Sequence, residues 1–146
     1  MNIDWSQMRL AQDLEGARLR TAQDTALGAL AAHVEQAARV WEQGVPLVER
    51  LGWGAKEAAA RALVAGQADA GQKALILAEA EVTGDKPDAL AQAILRKSAE
   101  YSAFVARVTA ERRRLARLLE AAQTVAEVDA IMAEAGPDAS EVRVGS

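Results

Sequence analysis

Apolar residues recur along this chain at the spacing of a helix face. Leu19, Ala26, Leu30, His33, Ala37 and Val40 follow at intervals of three, four or seven, with Gln23 the weak point of the stripe. A long helix is therefore predicted from Trp5 to Gln43, capped by Asp4 or Ser6 and stopped by Gly44 and Pro46. A second stripe is more regular. Leu90, Ile94, Lys97, Tyr101, Phe104, Val108, Glu111, Leu115, Leu118 and Ala122 keep a 4-3-4-3 rhythm, the seam of a coiled coil or helical hairpin, interrupted by Lys97 and Glu111. Asp85, Pro87 and Asp88 are the start signals for this helix, predicted over 87–122.

Between the two, the pattern is choppier. Leu51-Gly52-Trp53-Gly54 reads as a loop with an aromatic anchor. Lys56–Ala65 and Gln72–Val82 read as short helices closed by Gly66 and Gly84, residues suited to a left-handed cap. Thr124 and Glu127 form a capping box for a last helix over Val125–Ala135, ended by Gly136-Pro137. No segment alternates with the period of two that a strand needs. The expected fold is all-α: two long amphipathic helices, about 5–43 and 87–122, joined by short helices into an elongated helical hairpin or coiled-coil-like bundle. One helical domain is expected over 1–136, followed by a flexible acidic tail over 137–146.

Composition narrows the chemistry. The 146 residues are 51% hydrophobic but 3% aromatic, so a core must be built from Leu, Ile, Val and Ala at close range. There is no cysteine and one histidine, which excludes disulfides, thiolate sites and multi-histidine metal sites. The net charge of −4 is a poor background for gripping nucleic acid by bulk charge. Charge is nonetheless uneven: residues 87–122 sum to +3 and 123–146 to −4. No run of eighteen apolar residues suggests a membrane span, and Met1-Asn2-Ile3-Asp4-Trp5 lacks the pattern of a signal peptide.

Each candidate site has an ordinary reading beside the sharper one. His33 is favoured as a packed residue of the stripe over a proton switch. Arg112-Arg113-Arg114, with Arg107 and Arg117, splay around a helix and have no aromatic residues interleaved for stacking, so a solvated face is favoured over nucleic-acid contact. Residues 56–82 have the outline of a helix-turn-helix, but Gln72–Glu79 offers few groove-reading side chains. Glu79, Glu81 and Asp85 lack the spacing of a cation loop. The serines have no glycine elbow, and no phosphate-binding glycine motif exists. No catalytic, cofactor-binding or metal-binding residue is assigned, no cofactor is expected, and an enzyme is not. The residues expected to carry association are Leu90, Ile94, Tyr101, Phe104, Val108, Leu115 and Leu118 of the seam, with Trp5 a candidate docking anchor.

Four segments resemble a known group. Ile3-Asp4-Trp5-Ser6-Gln7-Met8 is similar to the start of small proteins encoded beside tail-fibre genes in tailed bacteriophages and prophages. Trp53–Ala62 and Glu79–Asp85 are similar to stretches in the same loose group, and Val105–Ala135 resembles the last helices of a tail-fibre-associated domain. The resemblance implies a non-enzymatic structural or adaptor protein of the tail, in a fibre or baseplate, found in the virion after synthesis in the host cytoplasm. Its implied partners are other tail or fibre proteins and copies of itself, with neither nucleic acid nor membrane. A non-virion chaperone for fibre assembly is the alternative, and a DNA-binding regulator using residues 56–82 is a third reading.

Overall fold

A computed structural model of the chain describes residues 2–135. Among them are five helices and no strand: α1 Trp5–Glu42, α2 Leu47–Val64, α3 Ala70–Thr83, α4 Pro87–Ala121 and α5 Val125–Glu134. The fold is all-α, and both long helices end within one residue of the expected bounds. The proposed tail, 137–146, lies outside the described residues.

Local chemistry explains the helix ends. The Asp4 carboxylate accepts from the amides of Ser6 (3.1 Å) and Gln7 (3.3 Å), so Asp4 caps α1. Asp69 and Gln72 form a full capping box at the start of α3. Pro87 is the first residue of α4, where its missing N–H costs nothing. Asp85 does something other than the expected capping: its carboxylate accepts from the Thr83 hydroxyl at 2.9 Å. Gly66 and Gly84 have φ of +71° and +80°, the left-handed conformation that a Cβ penalises. Beyond Gly66 the Gln67 amide reaches back to the Ala62 carbonyl (2.8 Å), closing α2 as a Schellman motif.

One segment departs from expectation. Leu51-Gly52-Trp53-Gly54 is helix, not loop, and lies inside α2. Glycines cost up to ~1 kcal/mol each in a helix, but tertiary contacts offset this. Trp53 stacks edge-on against Tyr101, with ring centroids 5.6 Å apart, and Arg50 pairs with Glu42.

Within the span read as one domain, the chain gathers into two compact units. Of the described residues, the first comprises 2–41 and 107–135. Its core holds Ala26 and Leu30 of α1, Leu115 and Leu119 of α4, Ala122, and Val128 of α5. The second comprises residues 42–106 and packs Ala59 and Ala60 of α2 and Ile76 and Ala80 of α3 with Leu90 and Ala91 of α4. Half of these twelve buried residues are alanine, so the helices meet at short range through small side chains, as the shortage of aromatics required.

Candidate functional site

The first turns of α1 are where the chain leaves apolar material outside. Every residue from Asn2 to Glu15 is exposed. In that stretch stand Ile3 (55% exposed), Trp5 (62%), Met8 (47%), Leu10 (64%) and Leu14 (54%). Scattered exposed apolar residues are normal, but five large ones within twelve positions are a dense run of the kind found at interaction surfaces. Two faces share them. Stepping back from Leu19 by threes and fours reaches Gly16, Gln12, Met8 and Trp5, so these continue the face that is buried from residue 19 onward. Leu10 and Leu14, four apart, lie on the opposite side.

Trp5 is therefore placed where a docking anchor would have to be, on an exposed helical arm. The sequence pointed to Trp5 but not to Met8, Leu10 and Leu14. The 3-4 stepping back from Leu19 is the signal that would have found Met8. A smaller apolar patch, Leu47, Val48 and Leu51, lies on the first turns of α2 with exposures of 60–77%.

The α4 seam is largely consumed within the chain. Leu90 (8% exposed) packs in the second unit, with Ile94 partly buried against the same cluster. Tyr101 meets Trp53, Phe104 is 3% exposed, Val108 is half-buried, and Leu115 is 2% exposed in the first unit's core. Leu118 is 40% exposed, and Leu119, at 0%, is the buried residue beside it. Lys97 and Glu111 are exposed, so neither charge interrupts the buried face.

The weak point of the α1 stripe has a specific role. The Gln23 amide donates to the carbonyls of Leu119 (2.9 Å) and Ala122 (3.2 Å). Leu119 lies in the last turn of α4 and its carbonyl also accepts from the Ala122 amide (3.3 Å), while Ala122 stands just past the helix end, where backbone donors run out. A glutamine at a core-facing position thus caps a helix nearly a hundred residues away.

Several charged groups are engaged in pairs. Arg114 donates twice to Glu111 (2.7 and 3.0 Å) and lies 3.7 Å from Glu134. Its hydrogen bond holds the Glu111 carboxyl below the usual glutamate range. Glu57 is also held low, first by a hydrogen bond from Ser98 and then by Arg61. Lys56 is paired with Glu79 at 2.7 Å, so in the helix-turn-helix outline α2 is tied to α3 by charge, and α3 keeps only Lys73 as a base. His33 is half-buried on the stripe. Among the described residues no three His, Asp or Glu side chains gather to hold a metal, and no helix is long and apolar enough to cross a membrane. A shallow groove of 440 Å³ runs along α2 beside Gly54, Ala58 and Ala62.

Comparison with known protein families, curated proteins and solved structures finds no match to this chain.

Proposed function

We propose that this chain is a structural or adaptor protein of a bacteriophage tail, a fibre or baseplate component that acts by helix–helix association rather than by catalysis. One observation carries the association reading: the exposed helical arm at the start of α1, with Trp5 and three other large apolar side chains, Met8, Leu10 and Leu14, on its surface. Most apolar residues of the α4 seam pack inside the chain, with Leu118 left exposed, so the arm offers more apolar surface for a partner. Burying a tryptophan at an interface is worth several times what a polar rim contact contributes, so Trp5 is the anchor and Met8 its neighbour on the same face. The placement in a tail rests on the resemblance of segments 3–8, 53–62, 79–85 and 105–135 to tail-fibre-associated proteins.

Mass spectrometry of gradient-purified virions from the producing phage tests this directly. The expected result is the intact chain at a fixed copy number per particle. Its absence from virions, with the chain instead bound to free fibre subunits in the lysate, would overturn the structural assignment in favour of an assembly chaperone.

A further inference from the structure

The arm's composition points to what covers it. From Asp4 to Arg20 the chain carries three acids (Asp4, Asp13, Glu15) and three arginines (Arg9, Arg18, Arg20), a neutral stretch in a chain of net charge −4. The charges are arranged with a near-twofold symmetry about Gln12. Arg9 and Glu15 lie three residues to either side of it, and Asp4 and Arg20 eight residues to either side, with opposite signs in each pair.

We infer that two copies of this chain associate through antiparallel pairing of their α1 arms, with the twofold axis at Gln12. In that register Trp5 of each copy lies level with Leu19 of the other, and Met8 lies level with Gly16. Gln12 meets its own counterpart, and an amide that both donates and accepts satisfies itself across a twofold axis. On one flank of that pairing Arg9 lies within two residues' rise of the other copy's Asp13, and on the opposite flank Arg18 lies within two residues' rise of its Asp4, so opposite charges are brought side by side. A parallel pairing would instead set each charge against its own copy.

Two further observations agree. Trp5, Met8, Gln12 and Gly16 continue the face of α1 that is buried from Leu19 onward, so the pairing extends an existing packing surface. At Gly16 an added Cβ would meet only the tip of Arg20, at 3.5 Å, which leaves room for a second helix to approach. This inference deepens the association reading by naming the arm's partner. Its test does not depend on virion composition, so either can fail alone.

The chain has no cysteine, which makes single-cysteine cross-linking of the full chain decisive. In an antiparallel pair, Gln12→Cys brings the two thiols together at the axis, whereas Met8→Cys leaves them about eight residues, or ~12 Å, apart along the arm. The expected result is an oxidised covalent dimer from Gln12→Cys and none from Met8→Cys, with light scattering reporting a dimer for both. Arg9→Glu is expected to weaken the dimer at least tenfold, and adding Asp13→Arg and Glu15→Arg to it to restore the dimer. Far-UV circular dichroism checks that the exposed substitutions leave the fold intact. A monomer at about 100 µM, where even weak specific dimers form, would overturn the inference. So would cross-linking of Met8→Cys as readily as Gln12→Cys, which means parallel arms, or a dimer indifferent to all of these changes.

Discussion

Removing the Gln23 amide tests how the first unit closes. Gln23 is half-buried and donates to two carbonyls at the end of α4, next to Leu119 at 0% and Ala122 at 5% exposure. Gln23→Met keeps the length and most of the volume but cannot donate. Two neutral hydrogen bonds are lost, each worth roughly 0.5–1.5 kcal/mol net, although the Leu119 carbonyl keeps its bond from the Ala122 amide. Partial access of water to the site offsets some of this, so the expected loss is about 2 kcal/mol. For a chain of this size that lowers Tm by about 8 °C.

Gln23→Glu sharpens the argument, because its effect depends on pH. An ionised carboxylate donates nothing and faces both carbonyls and the negative end of the α4 dipole. Its pKa in the folded state is therefore raised. The protonated form donates one hydrogen bond, so the penalty is smallest below the unfolded carboxyl pKa of roughly 4.3. It grows as pH rises and is complete above the folded-state value, at about 3–4 kcal/mol. Urea titrations at pH 4 and pH 7, read against wild type at each pH, measure both numbers. A Gln23→Met loss under about 0.5 kcal/mol would refute the reasoning. Equal penalties for Gln23→Glu at the two pH values would do so as well.

Other expectations follow from single contacts. Leu119→Ala should cost about 2–5 kcal/mol as a core cavity, and Leu118→Ala, on an exposed neighbour, less than about 1 kcal/mol; denaturant midpoints decide between them. Thr124→Ala removes the hydroxyl that accepts from the Glu127 amide at 3.1 Å, and should cost about 1 kcal/mol, with hydrogen exchange rising first in α5. Gly84→Ala forces a Cβ into φ +80° and should cost about 1 kcal/mol by thermal melting. Glu111 titrates below its usual range because of Arg114. Its contribution is present above the unfolded pKa and lost as pH falls through the lower folded value, and carbon-detected NMR titration should show Arg114→Ala returning Glu111 to the ordinary glutamate range.

Where the chain announces its helices through local chemistry, the sequence was enough. Pro87, Gly66, Gly84 and Thr124 act through φ constraints and side-chain caps that need no distant partner, and the elements they bound fall within a few residues of expectation. Gly52 and Gly54 misled for the opposite reason: local cost argued for a loop, and packing of Trp53 on Tyr101 overrode it. At its far end the seam departs from a strict seven-residue repeat, which drifts about 20° per heptad on a straight α-helix. Within the first unit the buried α4 residues Leu115 and Leu119 are four apart, where the 4-3 rhythm expected Leu118. Gln23, a flaw in the stripe by hydrophobicity alone, has a role only because α4 ends beside it, a fact that no local pattern carries.

The same economy bears on the arm. This chain has few large side chains, and its two cores are built half from alanine, so aromatic residues are scarce material. Trp53, Tyr101 and Phe104 are all used inside the second unit's packing. Trp5 is not: it stands 62% exposed on a helical stretch whose neighbours from residue 2 to 15 are all exposed too. Packing cannot hold that stretch helical within one chain. It persists by propagation from the buried part of α1, which avoids the cost of nucleation, and by the Asp4 cap. Propagation adds little per residue for a mixed sequence, so an uncovered arm should fray, while a covering helix would fix both the helix and Trp5 at once. In the proposed pairing a second copy supplies that cover, with Arg9 beside its Asp13 on one flank and Arg18 beside its Asp4 on the other.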